Sequence, residues 1–165
     1  GDVPKTFANV DELIKDYKNA HISIGQIDTG KRNNIYNQIL NLGFSLPTII
    51  SPNAYVSDHA DIGNGNIVMH GVIINAGVDL GNNCIINNLA LIEHETTVGN
   101  NSHISTGAKV NGACKVGDNC FIGSGSIINN GIKVASNVIL GSGSLIRKDI
   151  VCSGMYSGNP LKQYK

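Results

Sequence analysis

Tryptophan is missing from this chain of 165 residues, and aromatic residues make up only 5% of it. A core built around large rings is therefore excluded, and small and β-branched side chains must fill it. Charge is sparse at 15%, and 12 basic residues balance 12 acidic ones. That excludes the basic stripe of an electrostatic nucleic-acid binder. No apolar run approaches the roughly 18 residues of a membrane helix, and no signal peptide opens the chain. A soluble cytoplasmic protein, with neither nucleic acid nor membrane as partner, is the expectation. No C-x-x-C pair suggests a metal site, and no G-x-G-x-x-G loop suggests a Rossmann phosphate cradle.

Glycine, by contrast, supplies 20 residues. Asparagine recurs in pairs such as Asn82-Asn83, Asn87-Asn88 and Asn100-Asn101. Both residue types tolerate positive φ, so many tight turns are implied. The turns have a rhythm. From Val56 through Ile62, Val68 and Ile74 to Ile146, every sixth residue is aliphatic, without insertion. Two places earlier lies a second constrained site, usually small, as at Ala54, Ala60, Cys84, Ala90, Ser102 and Ala108. Gly often follows the aliphatic, as at Gly63, Gly81, Gly99 and Gly117.

A period of six fits neither the 3.6 of a helix nor the 2 of a plain strand. It fits a short strand plus a corner. Three such units close a triangular coil of about 18 residues, with neighbouring coils ~4.8 Å apart along the axis. Sixteen units from Val56 to Ile146 give a little over five coils. Cys84, Cys114 and Cys120 fall on the small inward site, and Cys152 on the next aliphatic position. All four read as buried small hydrophobes rather than metal ligands or nucleophiles.

Residues 1–50 follow another pattern. Val10, Leu13, Ile14 and Tyr17 are helically spaced, with Asn9 and Glu12 as a capping box. A strand is expected over residues 21–27, then a loop from Gly25 to Gly30. A second helix carries Ile35, Ile39, Leu40 and Leu42, capped by Gly43. A strand near Thr48 to Ile50 feeds the first coil. The division is thus 1–50, a partial Rossmann-like α/β segment, and 51–165, the repeat domain with a C-terminal tail.

One stretch of the prism surface carries chemistry: Glu93-His94-Glu95, followed by His103. The phase of the repeat turns His94, Glu95 and His103 outward. An outward histidine beside a carboxylate can act as a general base, the carboxylate fixing its tautomer or raising its basicity. The same pair on a surface can equally be decoration. His94 and His103 are half a coil apart, which places them on the order of 10 Å from each other on one prism.

His94 to Gly99, Ser102 to Lys109 and Val116 to Gly123, with the Gly158-Asn159-Pro160 tail, resemble the hexapeptide-repeat sugar acetyltransferases of the sialic acid O-acetyltransferase and UDP-4-amino-sugar N-acetyltransferase family. The likeness also takes in Ile24-Gly25 and Ile49 to Pro52, and spans essentially the whole chain. Leu161 departs from the alanine usual in such tails. The resemblance implies a left-handed parallel β-helix, mostly β, with a small N-terminal α/β segment. It implies acetyl-CoA as donor, no metal, and a nucleotide-linked amino sugar as first-choice acceptor, with sialic acid O-acetylation second. Transfer would be direct, with no acyl-enzyme. His94 would be the general base and Glu95 its activator. His103 would bind the acetyl-CoA end of the site, Ser124 and Ser142 would line the CoA groove, and Gly25 would contact the acceptor. Arg147, Lys148 and Lys162 are candidates for CoA phosphates, or plain surface charge. The family's trimers imply active sites at subunit interfaces. The family usually begins with a β-α-β unit, and the expectation is that this chain starts near that unit's end. Two rivals share the repeat. A γ-type carbonic anhydrase needs three zinc-binding histidines, and His21, His59, His70, His94 and His103 lack the close spacing. A non-catalytic scaffold would leave His94, Glu95 and His103 without a role.

Overall fold

The computed structural model describes residues 13–25 and 29–164. These residues form a parallel β-solenoid of about 6 turns with one helix. Among the described residues, nineteen strands, most of two residues, form three sheets, one for each side of the coil. The first face stacks β1 (Ile49–Ile50), β4 (Ile67–Val68), β7 (Ile85–Ile86), β10 (His103–Ile104), β13 (Phe121–Ile122), β16 (Val138–Leu140), β18 (Gly154–Ser157) and β19 (Lys162–Gln163). The second stacks β2 (Tyr55–Val56), β5 (Ile73–Ile74), β8 (Leu91–Ile92), β11 (Lys109–Val110), β14 (Ile127–Ile128) and β17 (Leu145–Ile146). The third stacks β3 (Asp61–Ile62), β6 (Asp79–Leu80), β9 (Thr97–Val98), β12 (Lys115–Val116) and β15 (Lys133–Val134).

Strands pair in parallel with the strand one coil away, so Ile104 lies between Ile86 and Ile122, except β19, which runs antiparallel to β18. The second residue of each strand points inward. Ile74, Ile86, Ile92, Ile104, Ile122 and Ile128 are completely buried. Cys84, Cys114 and Cys120 are also buried on the small site, as the period requires. Their thiols donate to backbone carbonyls, as Cys114 Sγ does to Asn129 O at 3.0 Å.

The pairs Asn82-Asn83 and Asn100-Asn101 build the corner between the third and first faces. The first Asn caps the coil before it: Asn100 Oδ1 accepts from Asn82 N at 2.8 Å, and Asn82 Oδ1 accepts from Asn64 N at 2.7 Å. The second takes the left-handed conformation, with φ of 56° at Asn83 and 58° at Asn101.

Cys152 departs from the expected register and is exposed. After Ile146 the coil shortens. Val134 bridges Ile150, not residue 152, and Ile139 pairs with Met155. Ile150 is buried in the core place expected for Cys152, which is pushed outside.

In the N-terminal segment, α1 (Thr29–Asn41) and the positive φ of Gly43, 91°, match expectation, and β1 matches the expected entry strand. Of the helix expected around Val10, residues up to 12 lie outside the described residues, and residues 13–17 form one turn, where Leu13 O accepts from Tyr17 N at 2.8 Å. The strand expected over residues 21–27 is not a strand in its described part, 21–25. The carbonyls of Ile22 and Ile24 are taken by the Arg32 guanidinium rather than by a neighbouring strand. Among the described residues no helix is long and apolar enough to cross a membrane.

Candidate functional site

His94 and Glu95 occupy the corner between β8 and β9, where the second face meets the third. Glu95 adopts φ 57°, unusual for a residue with a Cβ, and its amide donates to Ala76 O at 3.1 Å. That turn brings its carboxylate back to the imidazole, with Glu95 Oε2 3.5 Å from His94 Nδ1. Both side chains are more than half exposed. Glu93, the other adjacent carboxylate, is engaged elsewhere: its Oε2 accepts from Asn75 Nδ2 at 2.7 Å. The arrangement leaves Nδ1 of His94 facing a carboxylate and Nε2 available to a substrate proton.

Nε2 lies over Gly112, on the next coil. A Cβ built at Gly112 would stand 2.6 Å from Nε2 and 2.7 Å from Cε1. Gly112 does not have a positive φ. Its lack of a side chain therefore serves space for the imidazole, not backbone conformation. Sequence reading missed this residue, although one coil length counted from His94 would have reached it.

His103 points out of the prism but is not accessible as expected, being only 9% exposed. As the first residue of β10 it sits between Ile85 and Phe121 on the flanking strands. Its ring meets Phe121 edge to face, centroids 5.1 Å apart. Asn87 Nδ2 lies 3.3 Å from its Nε2. The structure does not bring His94 and His103 together: one occupies the corner between the second and third faces, the other the first face opposite that corner.

Ser124 and Ser142 stack one coil apart at the corner between the first and second faces, both exposed. Gly143 N donates to Ser124 O at 2.8 Å, and Ser105 Oγ lies 2.9 Å from Ser124 Oγ. Gly25 is exposed and lies over Ile85: a Cβ there would be 3.9 Å from Ile85 Cδ1. Arg147 and Lys148, with Cys152 and Tyr156, line a cavity of about 540 Å³ at the C-terminal end. Lys162 is exposed and is not among the residues that line it.

The three outward faces differ in chemistry. The third carries Asp61, Asp79, Lys115 and Lys133, all exposed. The first is apolar apart from His103 and partly covered by the N-terminal segment, so Ile85 is 5% exposed. The second is bare and mostly apolar, with Tyr55, Ile73 and Ile127 exposed and one exposed cation, Lys109, between Leu91 and Ile127. It is flanked by the His94 corner on one side and the Ser124–Ser142 corner on the other.

Burial pushes the Cys84 thiol up to about 12 and that of Cys120 to about 11, and raises Cys114 for the same reason. Such thiols are not thiolate nucleophiles near neutral pH. Among the described residues, no group of three or more His, Cys, Asp or Glu could hold a metal ion.

Residues 113–148 match the bacterial transferase hexapeptide family of six repeats. The acetyltransferase domain of PglB from Neisseria gonorrhoeae FA1090 is 31% identical, with a TM-score of 0.85 over 93% of this chain and 76% of that one. The same domain has been solved with acetyl coenzyme A. A variant of perosamine N-acetyltransferase from Caulobacter crescentus, in complex with CoA and GDP-perosamine, is 27% identical; its TM-score is 0.89 over 94% of this chain and 73% of that one. WeeI from Acinetobacter baumannii AYE, 20% identical with a TM-score of 0.85 over 94% of this chain and 76% of that one, shares the fold. Comparison with curated protein sequences finds no match.

Proposed function

This chain belongs to the hexapeptide-repeat sugar acetyltransferases and uses acetyl-CoA, and on that footing we propose that it N-acetylates a nucleotide-linked amino sugar with His94 as general base. The observation that carries the assignment is the His94–Glu95 pair at 3.5 Å, with Nε2 over the bare Gly112. In this proposal the Glu95 carboxylate beside Nδ1 favours the tautomer with its proton there, which leaves the Nε2 lone pair to accept one. The acceptor amine attacks the thioester carbonyl and gives its proton to Nε2. The C–S bond then breaks, and the CoA sulfur leaves with that proton as the thiol. General-base help of this kind is worth about 10²–10⁴-fold. Holding both substrates in line supplies much of the rest.

The coil is left-handed in this proposal, as in the family, and residues 1–50 and 51–165 act as acceptor segment and transferase domain. Three copies pack their second faces around a threefold axis. Tyr55, Ile73 and Ile127 are the exposed apolar residues that such packing would cover. The face is bordered by two unlike corners, so a cyclic head-to-tail interface sets the His94 corner of one copy against the Ser124–Ser142 corner of the next. Acetyl-CoA then lies between copies, with the backbone at Ser124 and Ser142 as its groove and His103 near its acetyl end. Gly25 contacts the acceptor. A donor such as acetyl-CoA favours a cytoplasmic enzyme. The complexes of the Caulobacter enzyme with CoA and GDP-perosamine favour an amino-sugar acceptor.

An acetyl-CoA consumption assay over UDP-, GDP- and CMP-linked sugars tests the proposal. Turnover with a nucleotide-linked amino sugar is the expected result. Turnover confined to hydroxyl acceptors would replace the N-acetyl reading by O-acetylation.

A further inference from the structure

Arg32, in the first turn of α1, is buried at 3% exposure. Its four partners among the described residues are all backbone carbonyls. Nη1 donates to Ile22 O at 2.7 Å and to Ile24 O at 3.0 Å. Nη2 donates to Gly65 O at 3.3 Å, and Nε to Asn83 O at 3.4 Å. Gly65 and Asn83 are the positive-φ turn residues of two successive coils. One guanidinium thus joins the helix, the Ile22–Ile24 segment and two turns of the solenoid.

This is a costly way to fill space. Among the described residues no carboxylate pairs this charge taken out of water, and burial lowers the pKa of Arg32. An apolar side chain of similar volume would fill the same place without that cost, so the geometry of the fork is what the position uses. The geometry bears on the site. Gly25 directly follows the clamped Ile24 and rests on Ile85, whose strand β7 pairs with His103.

We propose that Arg32 is a positioning residue for the acceptor: it holds Ile22–Gly25 against the first face, so that the acceptor's nucleotide meets a preformed surface. This rests on the reading of Gly25 as an acceptor contact. Lysine keeps the charge but offers donors from a single point, and it cannot span carbonyls from three segments.

The test uses Arg32→Lys and Gly25→Val in the full chain, with wild type alongside. The acceptor is the sugar nucleotide turned over fastest in the panel above. The expected result for Arg32→Lys is an acceptor KM raised about tenfold or more, with the KM for acetyl-CoA unchanged within about twofold. Amide exchange over Ile22–Gly25 should accelerate by about tenfold, while the amides of Ile104–Ile128 exchange as in wild type. An unchanged acceptor KM, a parallel rise in both KM values, or unchanged exchange at Ile22–Gly25 would overturn the proposal. If Gly25→Val leaves the acceptor KM unchanged, the acceptor reading itself fails. If Gly25→Val raises that KM and Arg32→Lys does not, the reading stands and the role of Arg32 falls.

Discussion

The imidazole of His94 lies directly over Gly112, and a methyl group on Gly112 would stand 2.6 Å from Nε2, the nitrogen proposed to take the acceptor's proton. Gly112→Ala is therefore expected to keep the fold, because the φ of residue 112 is not positive. It should displace the ring and lower kcat by about 10²-fold, the scale of a misplacement near 1 Å. Steady-state kinetics beside a thermal melt checks this. Wild-type kcat in a folded Gly112→Ala protein would show that the ring needs no such space.

His94→Ala should lower turnover by about 10²–10⁴-fold and leave CoA binding intact. Calorimetry with CoA gives the second half of that comparison. Unchanged turnover would remove His94 from the chemistry, and lost CoA binding would make it a binding residue.

The second face supplies a test of assembly. Replacing the exposed apolar Ile73 or Ile127 by Glu should convert trimer to monomer in sedimentation and abolish turnover, while the melting transition of the coil remains. A monomeric variant with full activity would refute a site shared between copies.

The thiols predict a pH dependence. Cys84 is raised from 9.0 to about 12 by burial. Between those values the unfolded chain has lost the proton that the folded chain keeps, so stability is full below pH 9 and falls as pH rises toward 12. Cys84→Ala should flatten that fall in alkaline melts. Iodoacetamide near pH 8 should label Cys152, the exposed thiol, and reach Cys84, Cys114 and Cys120 only on unfolding.

How far the sequence could be read followed from how local the causes were. The six-residue period was enough for the solenoid, because each inward side chain packs on its own image one coil away, and stacking preserves phase. The same phase carried His94 and Glu95 to a corner and buried Cys84, Cys114 and Cys120. It failed at Cys152, where the chain shortens after Ile146 and Ile150 takes the core place. No residue pattern announces that change of register.

Neighbours distant along the chain were settled only in three dimensions. Pairing of β10 with β7 and β13 encloses His103, and phase alone would have left it in solvent. Arg32 reads as an ordinary helix surface cation until Ile22, Ile24, Gly65 and Asn83 converge on it. Gly112 becomes meaningful when the next coil sets it beneath His94. A repeat dictates which way a side chain points, since that depends on its own backbone phase. What it meets there depends on segments folded in from elsewhere, and at His94, His103 and Arg32 the tertiary structure decided it.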